Sequence, residues 1–261
     1  MRLLLNDVDP SVAADREPDD LALAHLYAYP GARGPGSGDG RWLRGNMVCS
    51  LDGAATGPDG RTGSINNEAD RRVFMLLRAL ADVVIVGAGT ARAEGYGHPK
   101  PPAGALAGLR AGRSPAPSLV VVSRTANLPL RLTPPPDEGA GRVGDVLLAT
   151  SESADSAAVD AAREALGEEQ VLVAGRGGVD LEALVESLSD RGWSRMLTEG
   201  GPHLLHDMAA AGVLDELCLT VVPQLLAGPH PRILAGEDLG LTLSPRLLLE
   251  DNGTLLGRWS R

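Results

Sequence analysis

The chain has 261 residues, of which 43% are hydrophobic, and its formal net charge is −10. This length predicts one large domain with at most a modest appendage, and the composition is that of a globular protein. The acidic balance argues against nucleic acid as a main partner, because no basic stripe is available to neutralise phosphates. Lys100 is the only lysine, which argues against phosphate-loop ATPases, pyridoxal enzymes and Schiff-base aldolases.

Cysteines and histidines are too few for a disulfide or metal framework. Cys49 and Cys218 cannot form a four-cysteine metal site, and they suit a reducing compartment. His203 and His206 lie three residues apart, but without a third ligand we predict no metal site. We expect a cytoplasmic protein with no membrane partner, because no run of about 18 apolar residues occurs and the three leading leucines are too few for a signal peptide.

Residues 1–40 are predicted to be an N-terminal extension, and residues 41–261 the main domain. Asp19 and Asp20 are typical of the start of a short helix, here ending near Tyr27. Residues 30–40 are rich in Gly, Pro and Ser, which indicates a flexible linker. A solvated extension is favoured over a lid or an interface arm.

Strand and helix patterns alternate after the linker. A strand is predicted over 42–49 and a helix over 67–81, where apolar residues recur at helical spacing. Further strands are predicted over 82–86, 119–122, 146–149, 171–174 and 195–198. Further helices are predicted over 153–166, 181–188 and 202–211, the last with Pro in its first turn. The final strands are predicted over 216–222, near 247–249 and over 254–259.

This alternation predicts an α/β fold of three layers, with a mostly parallel central sheet between two layers of helices. The last strands have no helix between them, which predicts an antiparallel edge at the C-terminal end of the chain. Two long proline-rich loops, over 99–117 and 132–144, are expected to be functional rims or disordered insertions.

Ligands of parallel sheets bind beyond the carboxyl ends of the strands, so the residues after each strand are candidates for a site. Five such segments occur, over 50–53, 87–90, 123–125, 175–178 and 199–202. Three of them are rich in glycine, and a glycine turn that leads into a helix favours anions. Together they predict a nucleotide or dinucleotide site, although the third glycine of the dinucleotide fingerprint is missing.

Four side chains at this edge suggest chemistry. Ser123 and Arg124 suit a ribose 2′-phosphate, since a guanidinium offers a planar fork to phosphate oxygens, and a solvated turn fits them equally well. Asp52 and Glu199 follow separate strands and are candidates for a proton donor or an orienting acceptor. Asp52 also fits a purely structural role in its Asp-Gly turn.

Four motifs occur in the order found in a known family. They lie at 46–53 (Asn-Met-Val-Cys-Ser-Leu-Asp-Gly), 86–90 (Val-Gly-Ala-Gly-Thr), 197–202 (Leu-Thr-Glu-Gly-Gly-Pro), and 213–217 with 223–228. They resemble the reductase domain of riboflavin biosynthesis, and most closely its stand-alone pyrimidine reductases, from about residue 42 to 261. The resemblance implies a dihydrofolate-reductase-like fold and a homodimer. It also implies hydride transfer from NADPH to the ring-opened ribose of 5-amino-6-(5-phosphoribosylamino)uracil, which gives the ribitylamino phosphate.

The resemblance also implies roles for individual residues. Those at the cofactor would be Val48 and Ser64 near the nicotinamide, Gly87, Thr90 and Glu94 along its border, Ser123 near the adenosine, and Gly200, Gly201 and Pro202 at the pyrophosphate. Those at the substrate would be Asn46, Thr62, Arg78 and Glu199. Thr62 and Arg78 would hold its phosphate, and Glu199 would lie beside the pyrimidine and the hydride-transfer centre.

The sequence departs from this family at two points. It has no zinc deaminase motif, so deamination is expected to take place on another chain. An arginine-containing segment of the bifunctional proteins is replaced by residues 94–99, and Lys100 is a candidate substitute for that arginine. This departure leaves open the reduction of another pterin, folate or flavin-like ring. A nucleotide-binding protein without turnover is the third hypothesis, because no single residue is an unmistakable catalyst.

Overall fold

The structure is a computed structural model that describes residues 1–8, 17–30, 40–133 and 144–261. Its strands are β1 (Arg2–Asn6), β2 (Trp42–Ser50), β3 (Val83–Gly87), β4 (Ser118–Val122), β5 (Val146–Thr150), β6 (Val171–Val173), β7 (Arg195–Thr198), β8 (Glu216–Val222), β9 (Ser244–Asp251) and β10 (Thr254–Ser260). Its α-helices are α1 (Asp20–Leu26), α2 (Glu68–Leu80), α3 (Ala88–Ala93), α4 (Ser156–Leu166), α5 (Leu181–Asp190) and α6 (Pro202–Ala210). None of the helices in these ranges is both long and apolar enough to cross a bilayer.

The strands form one sheet in the order β1-β9-β10-β8-β2-β7-β3-β4-β5-β6. All neighbours from β8 to β6 pair in parallel, and β1, β9, β10 and β8 pair antiparallel. The predicted fold class, a mostly parallel sheet with an antiparallel C-terminal edge, is confirmed. Because β2, β7 and β3 are neighbours and run in one direction, their carboxyl ends meet at the same edge.

Helices cover both faces of the sheet. Apolar residues of α1, α2 and α4 pack on one face, against β-strand residues such as Val84 and Leu148. Those of α5 and α6 pack on the other face, against residues such as Ile85 and Val120. Neighbouring residues of β3 therefore point to opposite cores, which explains its continuous apolar run.

Two elements escape the sequence prediction. Strand β1 pairs with β9 and has a bulge between Leu3 and Leu5, so its three consecutive leucines show no regular alternation. Helix α3 has only six residues and begins inside a glycine-rich motif that is also typical of a turn. Short elements of this kind depend on their tertiary contacts, and the local sequence pattern does not predict them.

The described part of the N-terminal extension is packed against the main domain rather than solvated. Leu23 and Leu26 of α1 are 0% exposed and belong to the core under the sheet. The solvated extension expected from the sequence is therefore wrong for this segment, because α1 carries an apolar face that the sheet covers. Residues 31–39 of the predicted linker lie outside the described residues.

Three buried charges tie this segment to the sheet. Glu216 of β8 accepts hydrogen bonds from Arg258 Nε and Nη2 at 2.9 and 2.8 Å, and Arg44 Nε lies 2.6 Å from Glu216 Oε1. The two arginines also donate to the chain that leaves α1, Arg44 to the Tyr27 carbonyl at 2.7 Å and Arg258 to the Leu26 carbonyl. One carboxylate thus holds both guanidiniums that fix the end of α1.

The loop predicted over 99–117 contains a 3₁₀ helix, Gly104–Arg110, that packs at the end of α2. Arg110 is buried there and donates hydrogen bonds to the carbonyls of Ala79 and Ala81. Its guanidinium satisfies carbonyls at the end of α2 that have no partner within the helix. Most of the second predicted loop, residues 134–143, lies outside the described residues.

Candidate active site

A cleft of about 530 Å³ lies at the edge of the sheet that the sequence predicts. Strand β2 forms one wall and α2 another. The segment between β2 and α2, helix α3 with the segment after it, the turn between β7 and α6, and Pro231 form the rest of the lining. Nine predicted site residues line it, namely Asn46, Val48, Thr62, Arg78, Thr90, Glu94, Glu199, Gly201 and Pro202. The glycine turns after β3 and β7 thus help to bring most of the predicted residues together.

Glu199 follows β7 directly and is the most tightly held side chain of the cleft. Its backbone amide donates to the Ile85 carbonyl, which fixes the residue against β3. Arg78 Nε and Nη2 donate to Glu199 Oε1 and Oε2, each at 2.7 Å, and the Tyr96 hydroxyl donates to Oε2 at 2.5 Å. The carboxylate is nearly buried, so three charge-assisted hydrogen bonds compensate its loss of water.

Arg78 is committed to this carboxylate rather than directed at a phosphate. Burial opposes its charge, but the charge of Glu199 outweighs this and holds the pKa of Arg78 above its usual range. The guanidinium also lies 4.2 Å from the centre of the Phe74 ring and 5.2 Å from that of Tyr96. These contacts favour a role in fixing Glu199, and phosphate binding by Arg78 stays a prediction.

Glu94 joins two segments of the cleft wall. Its carboxylate accepts a hydrogen bond from the Thr62 amide at 2.8 Å, so it anchors the 3₁₀ turn Thr62–Ser64 to the end of α3. Both residues line the cleft. Glu94 therefore helps to hold this wall of the cleft in place. Its contact with the cofactor stays a prediction.

The turn between β7 and α6 lets two backbones approach closely. A Cβ on Gly201 would lie 2.4 Å from Thr90 Oγ1, and the Gly87 amide donates to the Gly200 carbonyl at 2.7 Å. Gly201 is the N-cap of α6, no side chain caps that end, and Pro202 occupies the first turn. A helix start without a side-chain cap, next to glycine and a threonine hydroxyl, fits the pyrophosphate of a dinucleotide. Gly89 faces open space in the same cleft.

Six predicted site residues lie outside the cleft lining, namely Asp52, Ser64, Gly87, Ser123, Arg124 and Gly200. Gly200 is part of the turn between β7 and α6, and Gly87 donates a hydrogen bond to it. Ser123 and Arg124 follow β4, which is the neighbour of β3 in the sheet, and Ser123 is buried while Arg124 is exposed. The Ser64 hydroxyl donates to the Asp59 carboxylate at 2.7 Å on the surface. Their predicted cofactor contacts stay predictions.

Asp52 has contacts that favour a structural role. Its carboxylate accepts hydrogen bonds from the Ser50 hydroxyl at 2.5 Å and from the amides of Leu226 and Ala227 at 3.1 and 2.7 Å. The Ser50 hydroxyl, and next the Ala227 amide, lower the pKa of Asp52 to about 2. An exposed carboxylate that stays ionised suits a clamp between two loops, and the catalytic role stays a prediction that these contacts do not favour.

Lys100 lines a second cavity rather than the cleft. This cavity of about 430 Å³ is also lined by His98 and Arg131, and it shares Arg78 and Tyr96 with the cleft. The substitution of Lys100 for the missing arginine of the family stays a prediction.

Asp70, Phe74 and Tyr96 are cleft residues that the sequence analysis missed. Asp70 is 4% exposed, and burial raises its pKa against a smaller opposing effect of its hydrogen bond with Thr220. Residues 70, 74 and 78 are four apart, which places them on one face of α2. The sequence could therefore have identified Asp70 and Phe74 by their spacing from Arg78. Tyr96 lies in an irregular segment that carries no comparable pattern.

No group of three or more His, Cys, Asp or Glu side chains is arranged to hold a metal ion within the described ranges. His206, which the sequence places near His203, hydrogen-bonds instead with the Glu237 carbonyl and the Asp207 carboxylate. These bonds raise its pKa, the Asp207 contact having the larger effect.

Comparisons with known proteins find similar sequences and a similar fold. The chain is 31% identical over 199 residues to the 2,5-diamino-6-ribosylamino-4(3H)-pyrimidinone 5′-phosphate reductase of Archaeoglobus fulgidus, which covers 74% of this chain and 85% of that protein. It is 30% identical over 195 residues to the reductase of the same name from Methanothermobacter thermautotrophicus, covering 74% and 83%. A crystal structure of a pyrimidine reductase-like protein from Corynebacterium diphtheriae has the same fold, with a TM-score of 0.74 at 23% identity over 85% of this chain and 92% of that one.

The match to a family model extends over most of the chain. Residues 41–253 match the model described as the RibD C-terminal domain, so the match begins just before β2 and ends at the turn between β9 and β10. The resemblance to reductases of riboflavin biosynthesis predicted from the four motifs is thereby confirmed. The chain belongs to the RibD C-terminal domain family.

Proposed function

We propose that the protein is an NADPH-dependent reductase that converts a phosphorylated ribosylaminopyrimidine into its ribitylamino form. Two relatives named as reductases of 2,5-diamino-6-ribosylamino-4(3H)-pyrimidinone 5′-phosphate support this substrate class. The sequence resemblance favours the deaminated uracil form. Both compounds carry the same ribosylamine, so the reaction at the sugar is identical. The observation that carries the proposal is a buried, hydrogen-bonded Glu199 in the cleft, close in the chain to a helix start at Gly201 and Pro202 that fits a pyrophosphate.

The reaction adds one hydride and one proton across a carbon–nitrogen double bond. Opening of the ribose ring leaves an imine between C1′ and the exocyclic nitrogen of the pyrimidine. A bound nicotinamide cofactor supplies the hydride that C1′ receives. The protein must orient the imine, keep water out and deliver the proton that the nitrogen requires.

Thr90, Gly201 and the first turn of α6 would hold the cofactor pyrophosphate. The Thr90 hydroxyl lies against Gly201 so closely that no side chain fits between them. The positive end of the α6 dipole favours a negative group at this position. Helix α6 has nine residues and packs on the sheet through Leu205 and Met208, so its N-terminus is rigidly placed.

Two carboxyl groups of the cleft lie in opposite environments, which assigns them different roles. Glu199 has three hydrogen-bond donors around it and serves as an ionised acceptor that orients the pyrimidine. Asp70 is buried with one hydroxyl partner, and burial raises its pKa. Pairs of acids with diverging environments are typical of sites that use one group as acid and the other as a fixed charge. Asp70 is therefore the proposed proton source.

Replacement of Asp70 by Asn should lower kcat by about 10²-fold or more, because the amide keeps the shape but cannot release a proton. In the unchanged protein the rate should fall as pH rises through the pKa of Asp70, since the carboxyl then loses its proton. Stopped-flow measurement of NADPH oxidation across pH checks both points. Asp160→Asn, an exposed aspartate on α4, is the control. A fully active Asp70→Asn variant would remove Asp70 from the mechanism.

Replacement of Arg124 by Ala should weaken NADPH binding by about 1–3 kcal/mol and leave NADH binding unchanged, because only NADPH carries the 2′-phosphate. Fluorescence titration with both nucleotides measures the two affinities. Arg71→Ala, an exposed arginine at the start of α2, is a matched control. Equal losses for the two nucleotides would contradict a 2′-phosphate contact.

The proposal is tested by following NADPH oxidation with three compounds: the diaminopyrimidinone phosphate, the uracil phosphate and dihydrofolate. We expect turnover with one or both pyrimidine phosphates. Turnover with dihydrofolate alone would contradict the proposed substrate class. Binding of NADPH without turnover of any compound would instead favour a nucleotide-binding protein. A homodimer and a cytoplasmic location stay predictions, and sedimentation analysis tests the first.

A further inference from the structure

Tyr96 holds a position in the cleft that neither the family motifs nor the proposed reaction assigns. It lies in the irregular segment after α3, and its hydroxyl donates to Glu199 Oε2 at 2.5 Å. Its ring lies 5.2 Å from the Arg78 guanidinium. One side chain thus contacts both members of the ion pair in the cleft, the acid through a hydrogen bond and the base through its ring.

The hydrogen bonds of Glu199 leave few acceptor sites for a ligand. An ionised carboxylate has about four lone-pair sites on its two oxygens. Arg78 occupies one on each oxygen, and Tyr96 occupies a second one on Oε2. A single site on Oε1 then remains for a donor in the cleft. Without the Tyr96 hydroxyl two sites would be open, one on each oxygen.

The direction of the Tyr96 hydrogen bond is fixed. Burial, and next the negative charge of Glu199, raise the pKa of Tyr96 well above its usual value. The hydroxyl therefore keeps its proton and must donate to the carboxylate. Because the bond comes from the segment after α3 and the guanidinium comes from α2, two independent elements fix the carboxylate. A bidentate arginine alone fixes the plane of the pair but leaves one acceptor site open on each oxygen.

We propose that Tyr96 is a positioning residue that blocks Glu199 Oε2 and leaves Oε1 as the one acceptor for a ring N–H of the pyrimidine. This assignment rests on the proposed function, because it presumes a nitrogen heterocycle beside Glu199. The pyrimidine then has one way to bond with the carboxylate, and its ribosyl carbon is held in one orientation. Misplacement of a reacting atom by about 1 Å lowers a rate by up to about 10²-fold.

Replacement of Tyr96 by Phe tests this assignment, since it removes the hydroxyl and keeps the ring over Arg78. We expect kcat for the pyrimidine phosphate to fall about tenfold, with the dissociation constant of NADPH unchanged within about twofold.

Tyr29→Phe is the matched control. Its hydroxyl donates to the Met196 carbonyl at 3.0 Å, and Tyr29 does not line the cleft. Both variants lose one half-buried tyrosine hydroxyl, so a general loss of stability would affect them alike. Only Tyr96→Phe should change kcat. An unchanged kcat for Tyr96→Phe would overturn the assignment.

A second measurement separates this inference from the proposed function. Carbon-13 NMR of protein labelled at the glutamate carboxyls records the chemical shift of Glu199 at neutral pH, identified by the signal lost in Glu199→Gln. We expect this signal to move in Tyr96→Phe, because Oε2 loses a hydrogen-bond donor, and to keep its position in Tyr29→Phe. If the unchanged protein reduces no pyrimidine phosphate, the proposed function fails and this chemical shift still decides the role of Tyr96. Coincident Glu199 signals in all three proteins would overturn it.

Discussion

Replacement of Glu216 by Gln is expected to lower the free energy of unfolding by about 3–5 kcal/mol. Glu216 is 1% exposed and is the one carboxylate between the guanidiniums of Arg44 and Arg258. Removing its charge leaves two buried positive charges without their partner, and such an uncompensated charge costs far more than a lost surface pair. Urea unfolding near neutral pH, followed by circular dichroism, measures the difference.

The difference in stability between the unchanged protein and Glu216→Gln should depend on pH. Burial alone would raise the pKa of Glu216, but the charges of Arg44 and Arg258 outweigh it and hold the pKa at about 2. A carboxyl whose pKa is lower in the folded than in the unfolded protein adds stability above its unfolded pKa, about 4.3. That stability is lost as pH falls from about 4.3 toward about 2. The difference between the two proteins should therefore shrink over this range.

The exposed pair Asp160–Arg163 supplies the control. Asp160→Asn breaks an ion pair of 3.4 Å on the surface of α4 and should change stability by less than about 1 kcal/mol. Because Arg44 and Arg258 also hold the chain after α1, amide exchange in residues 20–29 should accelerate in Glu216→Gln. A loss of stability no larger than that of the control would contradict the role assigned to Glu216.

Replacement of Glu199 by Gln is expected to lower kcat by about 10²-fold while the affinity for NADPH changes by less than about twofold. The amide presents one oxygen and one NH₂ group, so it cannot accept from both Arg78 nitrogens and Tyr96 at once. At least one buried donor then loses its acceptor, and the side chain leaves its position. Single-turnover measurement of NADPH oxidation separates the rate of reduction from product release.

Glu152→Gln, an exposed glutamate after β5, controls for the loss of a negative charge. It should change neither kcat nor NADPH affinity. Thermal unfolding of Glu199→Gln shows how much of the loss in rate reflects a change in folding. An unchanged rate in a folded Glu199→Gln variant would reduce Glu199 to a scaffold residue.

Elements with a regular pattern could be predicted from the sequence, and so could the edge of the sheet where the site lies. The buried strands β3, β4 and β5 appear as continuous apolar runs, and α2 shows helical spacing. Glycine turns after β3 and β7 mark the carboxyl ends where ligands bind. Strand β1 could not be predicted in this way, because its pairing depends on β9, more than 230 residues away in the chain.

The partners of the site residues could not be predicted, because they come from distant segments. Arg78 and Glu199 are 121 residues apart, and Tyr96 and Glu199 are 103 apart. Nothing in the local sequence indicates that Arg78 forms an ion pair with Glu199. Asp52 is similar, because its motif suggests chemistry and nothing near it in the sequence indicates the hydrogen bonds that it accepts from the amides of residues 226 and 227.

The central claim is that this cleft directs a hydride to C1′ of a ribosylaminopyrimidine. Its most direct test is reduction of the pyrimidine phosphate with NADPH that carries deuterium at the transferred position, followed by mass spectrometry and NMR of the product. The account predicts a ribitylamino phosphate that contains one deuterium, bound to C1′. A ribityl product without deuterium, or deuterium bound to the pyrimidine ring, would contradict it.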